Sequence, residues 1–371
     1  MRIDVHCHAM GNGRKFDTKA NDDIYYLPED NFGLIAKVVA GMVRHGLEEY
    51  HVQFDRHRVV KTASYFRLLL ELLKSSHSID GIVILALDAV YDLGKKEADK
   101  AKTDLFVPNR FLWEKIKQMN EELRSLGSSK RFFFGASVNP NRQDWEQELD
   151  YVINQTDAVL LKWIPSAMHI QPWQRRHLLF YKKLAERELP LLCHVGPEYT
   201  FTEGLRHQKY DFYGHLKWPL DAGVKIIAAH CGLPVIPLFD KDHTLQLHSR
   251  PYRVKDFANF MKKYNTDTDI RIWTDTSALL LLTRSDLIEE VLEFIPTKWM
   301  VHGTDFPIPI DRADSLATIL RRVFTNIRFD DPECYSKNPF DRDIAFQTCC
   351  RIPPSIAENA EKVLRMPPSE G

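Results

Sequence analysis

His6 and His8, in the segment DVHCH, stand two residues apart. In extended chain, residues i and i+2 project to the same side, so both imidazoles can face one ion from a single strand end. With 15 histidines in 371 residues, chance alone gives about 0.6 such pairs. The pair by itself therefore reads equally well as two polar residues ending a strand. The other members add weight: Lys162 ends AVLLK, His194 follows PLLC, His230 follows KIIAA, and Asp305 follows MVHGT. A metal ion needs nitrogen and oxygen ligands that converge from several chain segments. Neutral imidazoles plus a carboxylate, with one position left open, suit catalytic Zn2+, with Mn2+ or another divalent ion as alternatives.

Such convergence requires elements that end at one place. Short apolar runs at about 2–6, 80–87, 131–138, 158–162, 190–194, 224–229, 270–275 and 299–303 predict eight strands. Several are continuously apolar rather than alternating, as strands buried on both faces are. Helical spacing of apolar residues marks 57–76, 109–126, 142–155, 173–188 and 283–295. Asn141 is a candidate cap for the third of these, and Pro190 and Pro296 stop helices ahead of strands. Eight strands alternating with helices predict an α/β protein, a (β/α)8 TIM barrel in one domain over 1–371, rather than a doubly wound sheet. Two connections are too long for plain βα units. They are insertions of about 9–56 after strand 1 and 231–269 after strand 6. In a barrel both leave the catalytic face, so they either wall a pocket or decorate the surface.

The chain is 44% hydrophobic and 27% charged, with 50 Lys plus Arg against 51 Asp plus Glu and a net charge of -1. No basic excess points to nucleic acid. The N-terminus has no long apolar run, and no stretch reaches the length of a membrane span. Six cysteines without a CxxC pair suggest reduced thiols. The expectation is a cytoplasmic protein acting on a small molecule, with a homodimer possible.

His-x-His on strand 1, His on strands 5 and 6 and Asp after strand 8 resemble the amidohydrolase superfamily of metal-dependent barrel enzymes. HGTDFP is similar to the G-[ST]-D-[FWY]-P signature of the amidohydrolase-related branch that includes aminocarboxymuconate-semialdehyde decarboxylase. ENAEKVL, near the C-terminus, looks like that branch's N-A-x-x-L helix. The resemblance implies that His6, His8 and His194 bind the metal. Asp305 would ligate it or shuttle a proton for the activated water. His230 would polarise water and substrate, or ligate a second ion. Some members of the superfamily carry a carboxylated lysine at the end of strand 4, so Lys162 and His230 become ligands if the site is binuclear. One ion is preferred over two, because HGTDFP and the tail match the single-metal branch.

Neighbouring residues have plainer readings beside functional ones. Cys7, Cys193 and Cys231 should turn toward the helices as packing residues. Asp4 should share the inward side with His6, either orienting it or sitting satisfied low in the barrel. Glu198 is an acid or base, or more simply a solvated loop residue. Trp163, Tyr199 and Phe306 could line a pocket or pack. Arg250 and Arg253 could hold a substrate carboxylate or lie in solvent. His302 reads as a packing or hydrogen-bonding residue. The resulting function is hydrolysis of an amide, lactone or ester-like bond, with Asp305 and His230 as catalytic groups. Non-oxidative decarboxylation of an unsaturated or aromatic acid is the enzymatic alternative. A catalytically inactive binding barrel is the third reading, and it is disfavoured because none of the proposed ligands is missing.

Overall fold

The computed structural model describes residues 1–13, 16, 23–27, 31–93, 95, 97–233, 253–281, 284–308 and 329–367. Eight parallel strands pair in chain order: β1 (Ile3–His8), β2 (Gly81–Leu85), β3 (Arg131–Ala136), β4 (Ala158–Trp163), β5 (Leu191–Cys193), β6 (Ile226–Ala228), β7 (Ile272–Asp275) and β8 (Met300–Val301). Backbone hydrogen bonds then join the last strand to the first. Val5 N–H donates to His302 O at 3.0 Å, Asp305 N–H to His6 O at 2.8 Å, and His8 N–H to Phe306 O at 2.7 Å. The sheet is therefore a barrel, and all eight predicted strands occur.

Two apolar layers explain the continuous hydrophobic runs. Val83, Leu85, Phe133, Leu192, Ile227, Trp273 and Val301 fill the barrel interior. Their neighbours Ile82, Ile84, Phe132, Phe134, Leu191 and Ile226 join the larger cluster beneath the helices. A fully buried aliphatic or Phe side chain contributes roughly 1.5–3 kcal/mol, so both faces of each strand must be apolar. Ala360, Val363 and Leu364 of the ENAEKVL segment join the interior cluster. Asn359 there donates to the Met300 and Thr297 carbonyls at 2.9 and 3.2 Å, tying the tail to the start of β8.

Among the described residues the α-helices are α1 (Leu34–Glu48), α2 (Thr62–Ser75), α3 (Asn109–Ser125), α4 (Trp145–Gln155), α5 (Leu178–Glu186), α6 (Lys217–Asp221), α7 (Val254–Lys262), α8 (Ile288–Phe294) and α9 (Pro339–Cys349). The predicted helix at 57–76 starts five residues late, because Asp55 accepts the His57 and Val59 N–H groups and holds the chain in a turn. Asn141 does not cap α4. Its side chain donates to the His169 carbonyl and accepts from Arg176, and Asp144 precedes the helix instead. No disulfide joins the six cysteines.

The connection after β1 carries α1 and a short strand, Tyr25–Tyr26, antiparallel to Leu105–Phe106. Residues 234–252 of the connection after β6, Arg250 included, lie outside the described residues; α7 closes it. Among the described residues no helix is long and apolar enough to cross a membrane.

Two register shifts re-aim the strand ends. β1 slips against β2 between Asp4 and Cys7. Strict alternation would put Val5 and Cys7 on one face, yet Val5 packs inside the barrel and Cys7 outside it. β4 slips at Phe134/Gly135, so Val159 and Leu160 both face inward and Leu161 faces out. Such bulges bend a strand and redirect its side chains. Here they change what the tips of β1 and β4 present.

Candidate metal centre

Past its bulge, β1 turns His6 and His8 toward a cavity of about 110 Å³ at the C-terminal ends of the strands, which Lys162, His194, His230 and Asp305 also line. The structure thus brings all six sequence-predicted residues to one cavity. His8 Nε2 lies 2.9 Å from Asp305 Oδ1, and His6 Nε2 lies 3.4 Å from the same oxygen. Ligand atoms of His6, His8 and Asp305 all fall within 4.8 Å of one another. Asp305 reaches this place from a backbone with φ of 67°, an unusual conformation for a residue with a Cβ.

Asp275, at the tip of β7, holds the other side of His6: its Oδ2 is 2.8 Å from His6 Nδ1. The carboxylate accepts the Nδ1 proton, which leaves Nε2 as a lone pair facing the cavity, with the Lys162 amine 2.8 Å from it. Asp275 Oδ1 accepts the backbone N–H groups of His230 and Ser277 at 2.8 and 3.1 Å, together with the Ser277 hydroxyl. Both oxygens are committed. The second grouping of potential ligands, His6 with His230 and Asp275, is therefore a hydrogen-bonded clamp.

His230 and His194 form a linked pair, His230 Nε2 to His194 Nδ1 at 3.1 Å. His230 Nδ1 faces the Ser277 carbonyl at 3.0 Å, and His194 Nε2 faces the Gly196 carbonyl at 3.0 Å. With the Ser277 hydroxyl donated to Asp275, two neutral rings have two protons for three contacts. Satisfying both carbonyls leaves the facing ring nitrogens as lone pairs with no proton between them, an arrangement that suits a cation. Burial lowers the His194 pKa to about 4 and drives that of His230 well down, the latter with help from the Arg284 guanidinium. Both rings are held neutral, the form in which imidazole binds metal.

Burial also lowers His6, seconded by Lys162. Burial works to raise the Asp305 carboxyl, but His6, His8 and Lys162 overcome it and hold Asp305 well below the usual carboxylate range. Lys162 is buried with Nζ 2.8 Å from His6 Nε2, and desolvation lowers its pKa. Donor chemistry, tautomer control by Asp275 and neutral imidazoles all fit a divalent ion held by His6, His8 and Asp305, with His194 alongside.

Several neighbours depart from their sequence readings. Asp4 does not share the side of His6. The bulge separates them, and Asp4 instead receives the Thr304 hydroxyl at 2.6 Å and the His6 N–H at 2.9 Å. Burial raises it to about 7. Glu198 is not a solvated loop residue: it is buried, lines the cavity and stands 3.4 Å from His194 Nε2. Cys7 and Cys193 pack in the outer layer as expected, with Cys231 beside them. Trp163 stacks on Phe180 and donates to the Val138 carbonyl, and Phe306 stacks on Tyr65. Both are packing residues, and buried Tyr199 does not line the cavity either. Arg253 is exposed and paired with Asp256 at 3.0 Å. His302 is buried against α9, 3.9 Å from Asp343. The sequence reading missed Asp275, Ser277 and Arg284. Asp275 carried the same signal as the histidines, a polar residue ending an apolar strand.

A family model described as Amidohydrolase matches residues 123–328. Among solved structures, a probable 2-pyrone-4,6-dicarboxylic acid hydrolase from Acinetobacter baumannii, with citric acid bound, is 12% identical with a TM-score of 0.52. The match covers 98% of this chain and 99% of that one. 5-Carboxyvanillate decarboxylase from Sphingomonas paucimobilis is 11% identical with a TM-score of 0.50, over 98% and 99% of the two chains. At these identities the likeness is one of fold. A search of curated proteins finds no match.

Proposed function

The chain belongs to the amidohydrolase family, and from that premise we propose that it hydrolyses an amide, lactone or ester-like bond of a small molecule at His6, His8 and Asp305. Family membership implies a divalent metal, and the reading here is a single Zn2+, with Mn2+ as the alternative. The observation that carries the proposal is the convergence of two imidazole nitrogens and one carboxylate oxygen within 4.8 Å. A divalent ion there supplies Lewis acidity toward a substrate oxygen and lowers the pKa of water to roughly 7.

The chain's own groups complete the chemistry. Asp305, ionised at neutral pH, accepts a proton from the attacking water at the oxygen now turned to His8 and later returns it to the leaving group. His230, whose Nδ1 proton is held by the Ser277 carbonyl, accepts a hydrogen bond from the attacking water at its Nε2 lone pair and orients it, with His194 beside it completing the ligand set. The Lys162 amine sits on the His6 nitrogen that would bind metal, and both Asp275 oxygens are engaged. These contacts favour one ion over a lysine-bridged pair.

Non-oxidative decarboxylation is the second reading, and buried Lys162 supports it, because its amine could hold a carboxylate beside His6. One assay separates the two. Purified protein supplied with Zn2+ or Mn2+ is given ester, lactone and amide substrates alongside unsaturated and aromatic acids, with carbon dioxide measured in parallel. Hydrolysis without carbon dioxide supports the proposal, and carbon dioxide release from the acids overturns it.

A further inference from the structure

The walls of the cavity point to a substrate class. Six residues of α1 line it, Arg44 and five apolar ones: Ala36, Val39, Ala40, Val43 and Leu47. Four of them, 36, 40, 43 and 47, follow the i, i+4, i+7, i+11 spacing of one helix face. A helix in a long connection usually spends such a stripe on packing against the core. This stripe joins the core cluster and also borders the cavity, and Phe32, Val59 and Ile164 extend the apolar wall.

The polar groups divide unevenly. His6, His8, Lys162, His194, His230, Asp305 and Glu198 come from the tips of β1, β4, β5, β6 and β8 or the loops just beyond them. Away from them, the charged lining groups among the described residues are Arg44, Arg58 and Asp104. Arg58 is exposed and lies 3.5 Å from Glu48. Asp104 accepts the Glu203 N–H, and burial raises it to about 6. A substrate charged along its length would set those charges against Val39, Val43 and Leu47, which offer nothing to pair with them.

We infer that the substrate carries a long apolar acyl chain, seated along the inner stripe of α1, with its scissile carbonyl at His6 and Asp305. This rests on the hydrolytic reading for the chemistry, but the binding of the chain does not. Methylene groups entering such a wall leave water, and each contributes to the transition state as much as to the ground state until the cavity is full.

The test uses 4-nitrophenyl esters from acetate to decanoate, 4-nitrophenyl hemisuccinate, and 1-decanol as a ligand that cannot be hydrolysed. With the metal-supplied enzyme, kcat/KM should rise about fourfold per added methylene before levelling off. Decanol should raise the Tm of the wild type and not of Val43→Asp. Ala40→Phe, which fills the wall without charge, should move the best acyl length to a shorter ester even if Val43→Asp folds poorly. Ester cleavage with a flat or falling length profile, or with hemisuccinate preferred, overturns the inference and leaves hydrolysis standing. If no ester is cleaved but decanol stabilises the wild type and not Val43→Asp, the apolar site stands and the hydrolytic reading falls. Decanol without effect on the wild-type Tm overturns the inference.

Discussion

Asp275 holds the His6 ring through Oδ2 at 2.8 Å while its Oδ1 accepts the His230 backbone N–H at 2.8 Å. One carboxylate on β7 therefore fixes the His6 ring of β1 and the chain that leaves β6. His230 and Cys231 there adopt φ of 60° and 52°, so the N–H contact also secures a strained turn.

Asp275→Asn keeps the shape but loses the acceptor that sets the His6 tautomer. Metal affinity should fall roughly 10- to 100-fold, measured by competition with a coloured chelator. Unchanged affinity would show that His6 needs no such partner.

Asp305→Asn removes the proton acceptor at the heart of the cavity. The fold, followed by circular dichroism, should persist with most of the metal, while kcat falls by at least about 100-fold. Turnover at the wild-type level would remove Asp305 from the chemistry.

Gly303 lets β8 approach β1. A Cβ at this position would stand 2.9 Å from His6 Cβ and 3.3 Å from Ser277 Cβ, both fixed close to the backbone. Gly303→Ala should therefore cost about 1–3 kcal/mol of stability and weaken metal binding, because Asp305 lies two residues on. Urea unfolding and the chelator competition report the two effects separately.

His177 gives a pH dependence remote from the metal. Burial, with Arg176 nearby, lowers its pKa to about 3, and the Asn141 side chain accepts from its Nε2 at 3.1 Å. Unfolded histidine titrates near 6.5. Between those values the unfolded chain binds a proton that the folded chain does not. Stability therefore falls as pH drops through that window. His177→Gln should lose roughly 2 kcal/mol less than wild type between pH 6.5 and 4.5, read from urea midpoints at each pH. Parallel losses in the two proteins would show that His177 does not drive the acid limb.

Much of the barrel was legible because burial on both faces writes itself into the chain as apolar runs, such as VILAL and PLLC, each ending at a polar residue. The six residues singled out from those ends share one cavity for the same reason. Asp275 also ends such a run, but an aspartate before Thr-Ser reads locally as a turn, and only the His6 ring across the barrel reveals its role. The bulges in β1 and β4 were invisible, since register depends on the partner strand. That is why Asp4 was assigned to the wrong side. Burial of Glu198 and Arg284 depends on how loops fold over the strand ends, and no periodicity records it.

The most direct measurement is anomalous diffraction at the zinc edge from crystals grown with Zn2+. The expected result is one peak about 2.0–2.2 Å from His6 Nε2, His8 Nε2 and an Asp305 oxygen, with the Lys162 amine displaced from His6. Zinc absent from that position, with Lys162 still seated on His6 Nε2, would contradict the account.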